Sequence, residues 1–163
     1  MAEERPVSDS QVVMTEMVLP SHTNTYGSVF GGVVMSWIDI AGAIAAQRHS
    51  RRNVVTASID DLHFLAPVRL GWTVNLLASV NYTSKTSMEV GVKVIAENPT
   101  TGDRYLTSKA YLTFVALGSD GKPTKIPQVR PETADERRRF ESAQIRRKHR
   151  MDRYKEIKAQ ENA

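Results

Sequence analysis

The sequence predicts an α+β fold in which an antiparallel five-stranded sheet wraps around one long central helix, with a helical tail behind it. The first observation is a nearly uncharged segment at residues 31–47, which is too long for an ordinary strand. The second is a series of segments that alternate apolar and polar side chains and are joined mostly by short, turn-like links. The third is a highly charged C-terminal segment that opens with a helix-capping sequence.

The first strand is predicted at residues 11–19, where Pro20 ends it. The segment at residues 31–48 is rich in alanine and glycine, and we predict a helix that is buried on almost all sides. Four small residues of this helix offer surfaces over which a sheet can pack closely: Gly32, Gly42, Ala43 and Ala46.

Four further strands are predicted at residues 53–65, 73–82, 86–97 and 104–117. The links between the last three are short, so these strands are expected to be antiparallel neighbours. Alternation directs three sets of side chains to the core: Val74, Leu76, Ala78, Val80 and Tyr82; Met88, Val90, Val92, Val94 and Ala96; and Leu106, Ala110, Leu112, Phe114 and Ala116. The opposite faces are predicted to be polar and include Ser79, Asn81 and Glu89.

The chain is predicted to consist of one domain at residues 1–131 and a charged helical extension at residues 132–163. In the extension, Thr133 is the expected N-cap and Glu136 completes a capping box. Of the net charge of +4, the extension carries +3. One hypothesis is a solvated helix that packs along the domain edge. The other is that its arginines help to hold an anionic ligand or a neighbouring subunit.

Composition excludes several classes of protein. The absence of cysteine rules out thiol nucleophiles, disulfides and cysteine-bound metals, and four scattered histidines without paired spacing argue against a zinc site. The body lacks the basic stripe of a nucleic-acid-binding protein. The apolar segment is short for a membrane span, and the polar N-terminus is unlike a secretory signal. A soluble, cytoplasmic protein is therefore expected.

Asp39 is the only ionisable residue between Phe30 and Gln47. Burial of an unpaired carboxylate is costly, so its position inside an apolar helix needs a reason. One reason is structural, a hydrogen bond to Ser36 or to the backbone of a facing chain. The other is catalytic, a general base or nucleophile whose pKa is tuned by burial.

Gly31 and Gly32 stand at the predicted start of the same helix, where free backbone amides attract developing negative charge. The pair is suited to an oxyanion hole, although two glycines also form simple turns. Asn24 is either a turn former or a polar group that positions water. His22 is a possible base, but the spacing provides no nucleophile for it.

The run His22-x-Asn24-x-x-Gly27-x-x-Phe30-Gly31-Gly32-x-Val34-Met35-x-x-x-Asp39 resembles the signature of hotdog-fold acyl-CoA thioesterases, which include the bacterial YciA-type enzymes and the eukaryotic cytosolic acyl-CoA hydrolases. Asp60-x-x-x-Phe64-x-x-Pro67-Val68 resembles the second-strand motif of the family, and residues 86–90 resemble its coenzyme A-side segment. The resemblance covers residues 11 to about 130. Trp72 departs from it, since the family more often has an acidic residue there.

The resemblance implies a hotdog fold and hydrolysis of acyl-coenzyme A to fatty acid and coenzyme A, with no separate cofactor because coenzyme A belongs to substrate and product. It implies a dimer, or a trimer of dimers, with Asn24 of one chain and Asp39 of the other in one site. The amide of Gly32 would stabilise the oxyanion. The other implied substrate contacts are His22, Gly31, Met35, Phe64, Leu65, Lys85, Thr86 and Ser87.

Two other function classes remain at this stage. The same fold hosts dehydratases of hydroxyacyl thioesters, which pair a catalytic histidine with an acidic residue, and His22 is near. A non-catalytic regulator that binds acyl-CoA would not require Asn24 and Asp39.

Overall fold

The computed structural model describes residues 3–163 and confirms the predicted α+β architecture. After a short strand, β1 (Glu4–Pro6), the chain forms the strands of one main sheet: β2 (Val12–Met17), β3 (Asn53–Phe64), β4 (Thr73–Thr83), β5 (Ser87–Glu97) and β6 (Arg104–Leu117). These five strands are antiparallel and lie in the order β2–β4–β5–β6–β3, so β2 and β3 are the sheet edges. The central helix, α1 (Gly31–Ser50), packs on one side of the sheet, which we call the inner face.

Small residues of α1 permit a close approach to the inner face. A Cβ atom on Gly42 would lie 3.0 Å from a ring carbon of Phe114, so the ring occupies the space that a side chain would need. Ala46 is fully buried. The predicted seam of small residues is therefore confirmed for Gly42 and Ala46, whereas Ala43 is half-buried and Gly32 is exposed.

The prediction that α1 is buried on almost all sides is wrong for the single chain. Met35 exposes 41% of its surface and Ile40 exposes 50%, because the sheet covers only one side of the helix. We call the uncovered side the open face of α1; it is formed by Gly32, Met35, Ser36, Asp39 and Ile40. Exposed apolar surface of this kind is typical of an interaction site.

The inner face of the sheet carries most of the core. Apart from Tyr82 and Leu106, every side chain that alternation directed inward is buried. The prediction is wrong for these two because one extra residue precedes Tyr82 in β4, and another follows Leu106 in β6. Each such bulge reverses the side-chain phase of the strand, so Tyr82 and Leu106 point to the other face.

The C-terminal helix, α2 (Ala134–Glu161), begins at the predicted capping box. Glu136 N–H donates to Thr133 Oγ1 over 3.1 Å, and Thr133 N–H donates to Glu136 Oε2 over 3.0 Å. The first half of α2 lies on the outer face of the sheet, where the Phe140 ring packs 5.2 Å from the ring of Tyr82. Helix α2 therefore packs on a sheet face and not along an edge of the domain.

Polar residues of the outer face become buried under α2. Ser79, Asn81 and Glu89 expose 7%, 4% and 3% of their surfaces, although alternation alone places them toward solvent. After Arg150 the helix extends beyond this contact, and most of its remaining residues are exposed.

A second, two-stranded sheet was not predicted. It pairs β1 in parallel with β7 (Gln128–Arg130) and joins segments from opposite ends of the domain. Two short 3₁₀ turns, Val7–Ser10 and Pro20–His22, flank β2. Over residues 3–163, neither helix combines the length and the apolar composition that a membrane span requires.

Candidate active site

Asn24 holds the loop that leads into α1. Its Oδ1 accepts backbone N–H donors from Tyr26 at 3.0 Å and Ser28 at 3.3 Å, which fixes the orientation of the carboxamide because only the oxygen accepts. Both open alternatives for Asn24 are thus compatible with the structure. The oxygen stabilises a turn, while the side-chain NH₂ has no acceptor within the described residues and remains a donor.

The amides of Gly31 and Gly32 lie in the first turn of α1. The Phe30 carbonyl accepts the N–H groups of Val33 and Val34, and within residues 3–163 the two glycine amides have no acceptor. They therefore combine free donors with the positive end of the helix dipole, the arrangement that stabilises an oxyanion. A Cβ on Gly31 would meet the Phe64 ring at 3.4 Å, so Phe64 packs over the helix start.

Asp39 lies on the open face of α1, two turns after Gly32. Its carboxylate is half-buried in the single chain, so the expected full burial is not seen. Thr56 Oγ1, on β3, donates to Asp39 Oδ1 over 2.6 Å, whereas Ser36 Oγ donates to the carbonyl of Val33 and not to Asp39. The second oxygen, Oδ2, has no hydrogen-bond partner within the described chain and can accept a proton.

Thr56 is a hydrogen-bond partner of Asp39 that the sequence alone did not predict. A threonine in a strand is ordinary, since β-branched residues favour strands. Its proximity to Asp39 depends on how β3 crosses α1, which no local pattern reports. Only a known pairing of β3 with the helix could have identified it.

The ring of His22 contacts its own loop and Trp37 of α1. Its Nδ1 accepts the backbone N–H of Leu19 at 3.1 Å, and its ring meets Trp37 edge-on at a centroid distance of 5.1 Å. An accepting Nδ1 assigns the proton to Nε2 in the neutral ring. His22 therefore holds the loop against α1, with Nε2 as its remaining donor.

The side chains expected to contact the acyl chain are exposed apolar groups near the start of α1. Met35, Phe64 and Leu65 expose 41%, 53% and 61% of their surfaces. Phe30 adds a fourth exposed ring, at 59%. In the single chain these residues form an open apolar surface, not an enclosed groove.

A basic cleft lies at the other end of α1, beside the turn between β4 and β5. It encloses about 930 Å³. Its cationic side chains are Arg5, Arg51, Arg52, Lys85 and Lys125, against a single carboxylate, Glu3. Of the three residues expected to contact coenzyme A, only Lys85 lines this cleft, next to Thr86 and Ser87 in the chain.

The other cations of the cleft were not predicted from the sequence. Arg51 and Arg52 follow the end of α1, where basic residues are ordinary partners of the helix dipole. Lys125 and Arg5 come from remote segments, so only the fold brings them together. Ser87 is engaged within the turn, since its Oγ lies 2.7 Å from Ser84 Oγ.

His49 supports this end of the helix from inside. It is fully buried, and its Nε2 lies 2.9 Å from the carbonyl oxygen of Pro127. The backbone carbonyl of His49 accepts a hydrogen bond from Arg5 Nη1 at 2.9 Å. Burial lowers the pKa of His49 below its ordinary value of 6.5, and the hydrogen bond to Pro127 opposes this shift only in part. The ring is therefore neutral at pH 7.

Comparisons with known proteins agree on one family. The sequence model of the Thioesterase superfamily matches residues 26–102. The chain is 44% identical to YkhA of Bacillus subtilis, named an uncharacterized acyl-CoA thioester hydrolase, over 99% of this chain and 94% of that protein. It is 38% identical to the cytosolic acyl coenzyme A thioester hydrolase of Rattus norvegicus over 88% of its own length, and it spans 38% of that longer relative.

Solved structures give the same result. A hexameric acyl-CoA thioesterase superposes with a TM-score of 0.91 at 41% identity, over 93% of this chain and 97% of that one. The acyl-CoA hydrolase of Staphylococcus aureus, in complex with butyryl coenzyme A and coenzyme A, superposes with a TM-score of 0.89 at 36% identity, over 96% and 95%. Three further structures of the S. aureus enzyme are single alanine variants of an aspartate, an asparagine and a threonine.

Proposed function

Because this chain belongs to the thioesterase superfamily, we propose that it is an acyl-CoA thioesterase in which Asp39, Asn24 and Thr56 form the reacting centre. The observation that carries the assignment is a half-buried aspartate on an open helix face, hydrogen-bonded by Thr56 through one oxygen and with the other oxygen unpaired in the described chain. In this reaction coenzyme A is part of the substrate, and no resident cofactor is required. The cytosolic name of the rat relative supports a cytoplasmic location.

The S. aureus variants support this choice of residues. The asparagine replaced there precedes the aspartate by 15 positions, and the aspartate precedes the threonine by 17. Asn24, Asp39 and Thr56 have the same separations here. Residues of the same three types in the same spacing are expected to serve the same step.

The proposed chemistry is addition of water to the thioester carbonyl. Asp39 Oδ2 removes a proton from water as general base, or the carboxylate attacks first and the resulting anhydride is hydrolysed. The carbonyl oxygen becomes an oxyanion that accepts from the amide of Gly32. The C–S bond then breaks, and the departing thiolate takes up a proton.

Asn24 acts in this scheme as a hydrogen-bond donor. Its Oδ1 is occupied by two backbone amides, so only the NH₂ group is available for the substrate. It can hold the oxygen of the carbonyl or of the water, but it cannot accept the water's proton. Its contribution is therefore orientation and charge stabilisation, not proton transfer.

The site is proposed to form between two chains. Gly32 and Asp39 are seven residues apart in α1, about 10 Å along the helix axis. One carbonyl group cannot contact both within a single chain, whereas a second chain packed on the open face can supply the missing group. The exposed Met35 and Ile40 on this face, and Ile59 on the edge strand β3, are suited to such an interface.

The proposed dimer leads to two further assignments, the larger assembly and the binding place of the coenzyme A part of the substrate. The hexameric relative supports a trimer of such dimers. We assign the phosphates of coenzyme A to the basic cleft around Lys85, Arg51 and Arg52, near Thr86 and Ser87. Arg51 lies about 18 Å beyond Asp39 along the helix axis, a separation that the extended pantetheine arm has to bridge.

The acyl chain is assigned to the exposed apolar surface at the start of α1. Met35, Phe64 and Leu65 form it, with Gly31 beneath the ring of Phe64. A second chain on the open face would enclose this surface and turn it into a groove. His22 is then placed to donate from Nε2 at its margin.

A thiol-release assay with acyl-CoA of several chain lengths tests the proposal. Wild-type protein should release free coenzyme A, and Asp39→Asn should lower turnover by about a hundredfold or more. Asp103→Asn, in an exposed loop, is the matched control and should match wild type. The assignment is wrong if Asp39→Asn retains wild-type turnover, or if hydroxyacyl-CoA is dehydrated without thiol release. Binding of acyl-CoA without turnover by the wild-type protein would indicate a regulator.

A further inference from the structure

A bulge in β3 gives Thr56 and Asp60 opposite directions. In an unbroken strand, residues four apart share one face. Here Thr56 pairs with Phe114 and Asp60 pairs with Tyr111, but Ala57 is an extra residue with no partner in β6. Because the extra residue reverses the phase, Thr56 faces α1 and Asp60 faces α2.

Asp60 is held on the outer face by α2. Arg150 donates to its Oδ2, and the two side chains expose only 23% and 15% of their surfaces. One helical turn earlier, Arg146 stacks 3.6 Å over the ring of Tyr111, the β6 partner of Asp60. Residues four apart share a helix face, so Arg150 contacts Asp60 on β3 while Arg146 contacts its partner Tyr111 on β6.

The register of β3 is set by strand pairing on one side only. Strand β3 is an edge strand that pairs only with β6, and a second bulge follows Asp60, where Asp61 has a φ of +36°. A slip of the whole of β3 by one residue along β6 would direct Thr56 away from Asp39 and turn Asp60 toward the core. Burial of the unpaired Asp60 carboxylate opposes that slip, and the ion pair with Arg150 opposes it further.

We propose that the Asp60–Arg150 ion pair is a positioning device that holds β3 in the register in which the bulge at Ala57 delivers the Thr56 hydroxyl to Asp39. Asp60 and Arg150 are then positioning residues for hydrolysis, although both lie on the opposite face of the sheet from the reacting atoms. This inference rests on the proposed role of Asp39 and Thr56. It gives α2 a function in the reaction step and explains why Asp60 belongs to a motif that the chemistry itself does not use.

Steady-state kinetics of Arg150→Gln test the device. Loss of a hydrogen bond to a reacting carboxylate should lower kcat about tenfold. KM should stay within about twofold, because Arg150 touches no substrate atom. Arg150→Lys should restore most of kcat, and Arg153→Gln, exposed on the same helix, should match wild type.

A double-mutant cycle separates this mechanism from general loosening. If Arg150 acts through Thr56, adding Arg150→Gln to Thr56→Ala should change kcat less than about twofold. Amide exchange across residues 54–60 should also rise in Arg150→Gln and not in Arg153→Gln. Multiplicative effects in the cycle, or an unchanged kcat with unchanged exchange, would overturn the proposal. An inactive wild-type protein would instead overturn the proposed function, and the exchange measurement would still report on the ion pair.

Discussion

Replacement of Arg146 by methionine should destabilise the protein by about 3 kcal/mol. Glu89 is 3% exposed and accepts Arg146 Nη2 at 2.7 Å, Arg146 Nε at 3.1 Å and Asn81 Nδ2 at 3.2 Å. The substitution removes two of these three donors and leaves a buried carboxylate, a loss of about 3–5 kcal/mol in comparable cases. We take the lower end because Arg146 is itself 24% exposed and water can enter after truncation.

Urea unfolding at one fixed protein concentration measures this loss, since assembly makes apparent stability concentration-dependent. The midpoint temperature of thermal unfolding should fall by about 6–12 °C. Arg153→Met, exposed on the same helix, should change stability by less than about 0.5 kcal/mol. Combining Arg146→Met with Glu89→Leu should restore most of the loss, because no charge is then left unpaired. Equal effects of Arg146→Met and Arg153→Met would show that the buried ion pair does not hold α2.

Three further predictions concern other parts of the chain. Because burial lowers the pKa of His49, unfolding takes up a proton at this residue below about pH 6.5. The urea midpoint should therefore fall as the pH is lowered from 7.5 to 5.5, and His49→Gln should remove that part of the pH dependence. An unchanged pH dependence in the variant would exclude His49 as its source. Arg51→Gln and Arg52→Gln should each raise KM for acyl-CoA about three- to fivefold and reduce the salt dependence of KM, without a change in kcat. KM values that do not respond to salt would show that the basic cleft does not bind the substrate. Thr133→Ala should destabilise the protein by about 1 kcal/mol through loss of the N-cap, and a thermal scan identical to that of wild type would contradict this.

The sequence predicts the fold closely where local periodicity carries the information. Helix α1 is marked by a long uncharged segment and the last three strands of the main sheet by alternation, while the capping box at Thr133 marks the start of α2. The alternation failed at Tyr82 and Leu106 because a single extra residue reverses every side chain beyond it. No propensity signals such a residue in advance.

For the candidate site residues too, the sequence predicts those that a local pattern holds together. Asn24, Gly32 and Asp39 stand in one short run, so a sequence motif can hold them together. Thr56 comes close to Asp39, and the cations of the basic cleft come close to one another, only through the fold. Strand pairing and crossing bring together segments that are far apart in the chain. The extent of the open face of α1 was not predicted either, because the uncharged segment indicates burial on all sides, whereas the sheet covers only one side of the helix.

Helix α2 shows how charge patterns mislead when the partner is unknown. Its arginines were considered for anionic ligands or a neighbouring subunit, yet Arg146 and Arg150 pair with Glu89 and Asp60 of the same chain. Acidic residues on the outer face of a sheet normally indicate solvent. Here they are the binding partners of a helix, and the polar contact substitutes for the apolar stripe that α2 lacks.

Mixing two inactive variants tests the proposed shared active site most directly. Asn24→Ala and Asp39→Ala proteins should each be nearly inactive, but a mixture that has exchanged subunits contains about half heterodimers, each with one intact site and one doubly altered site. Roughly a quarter of wild-type activity should therefore return in the thiol-release assay. If exchange is verified by mass and no activity returns, Asn24 and Asp39 act within the same chain, and the proposed interface site is contradicted.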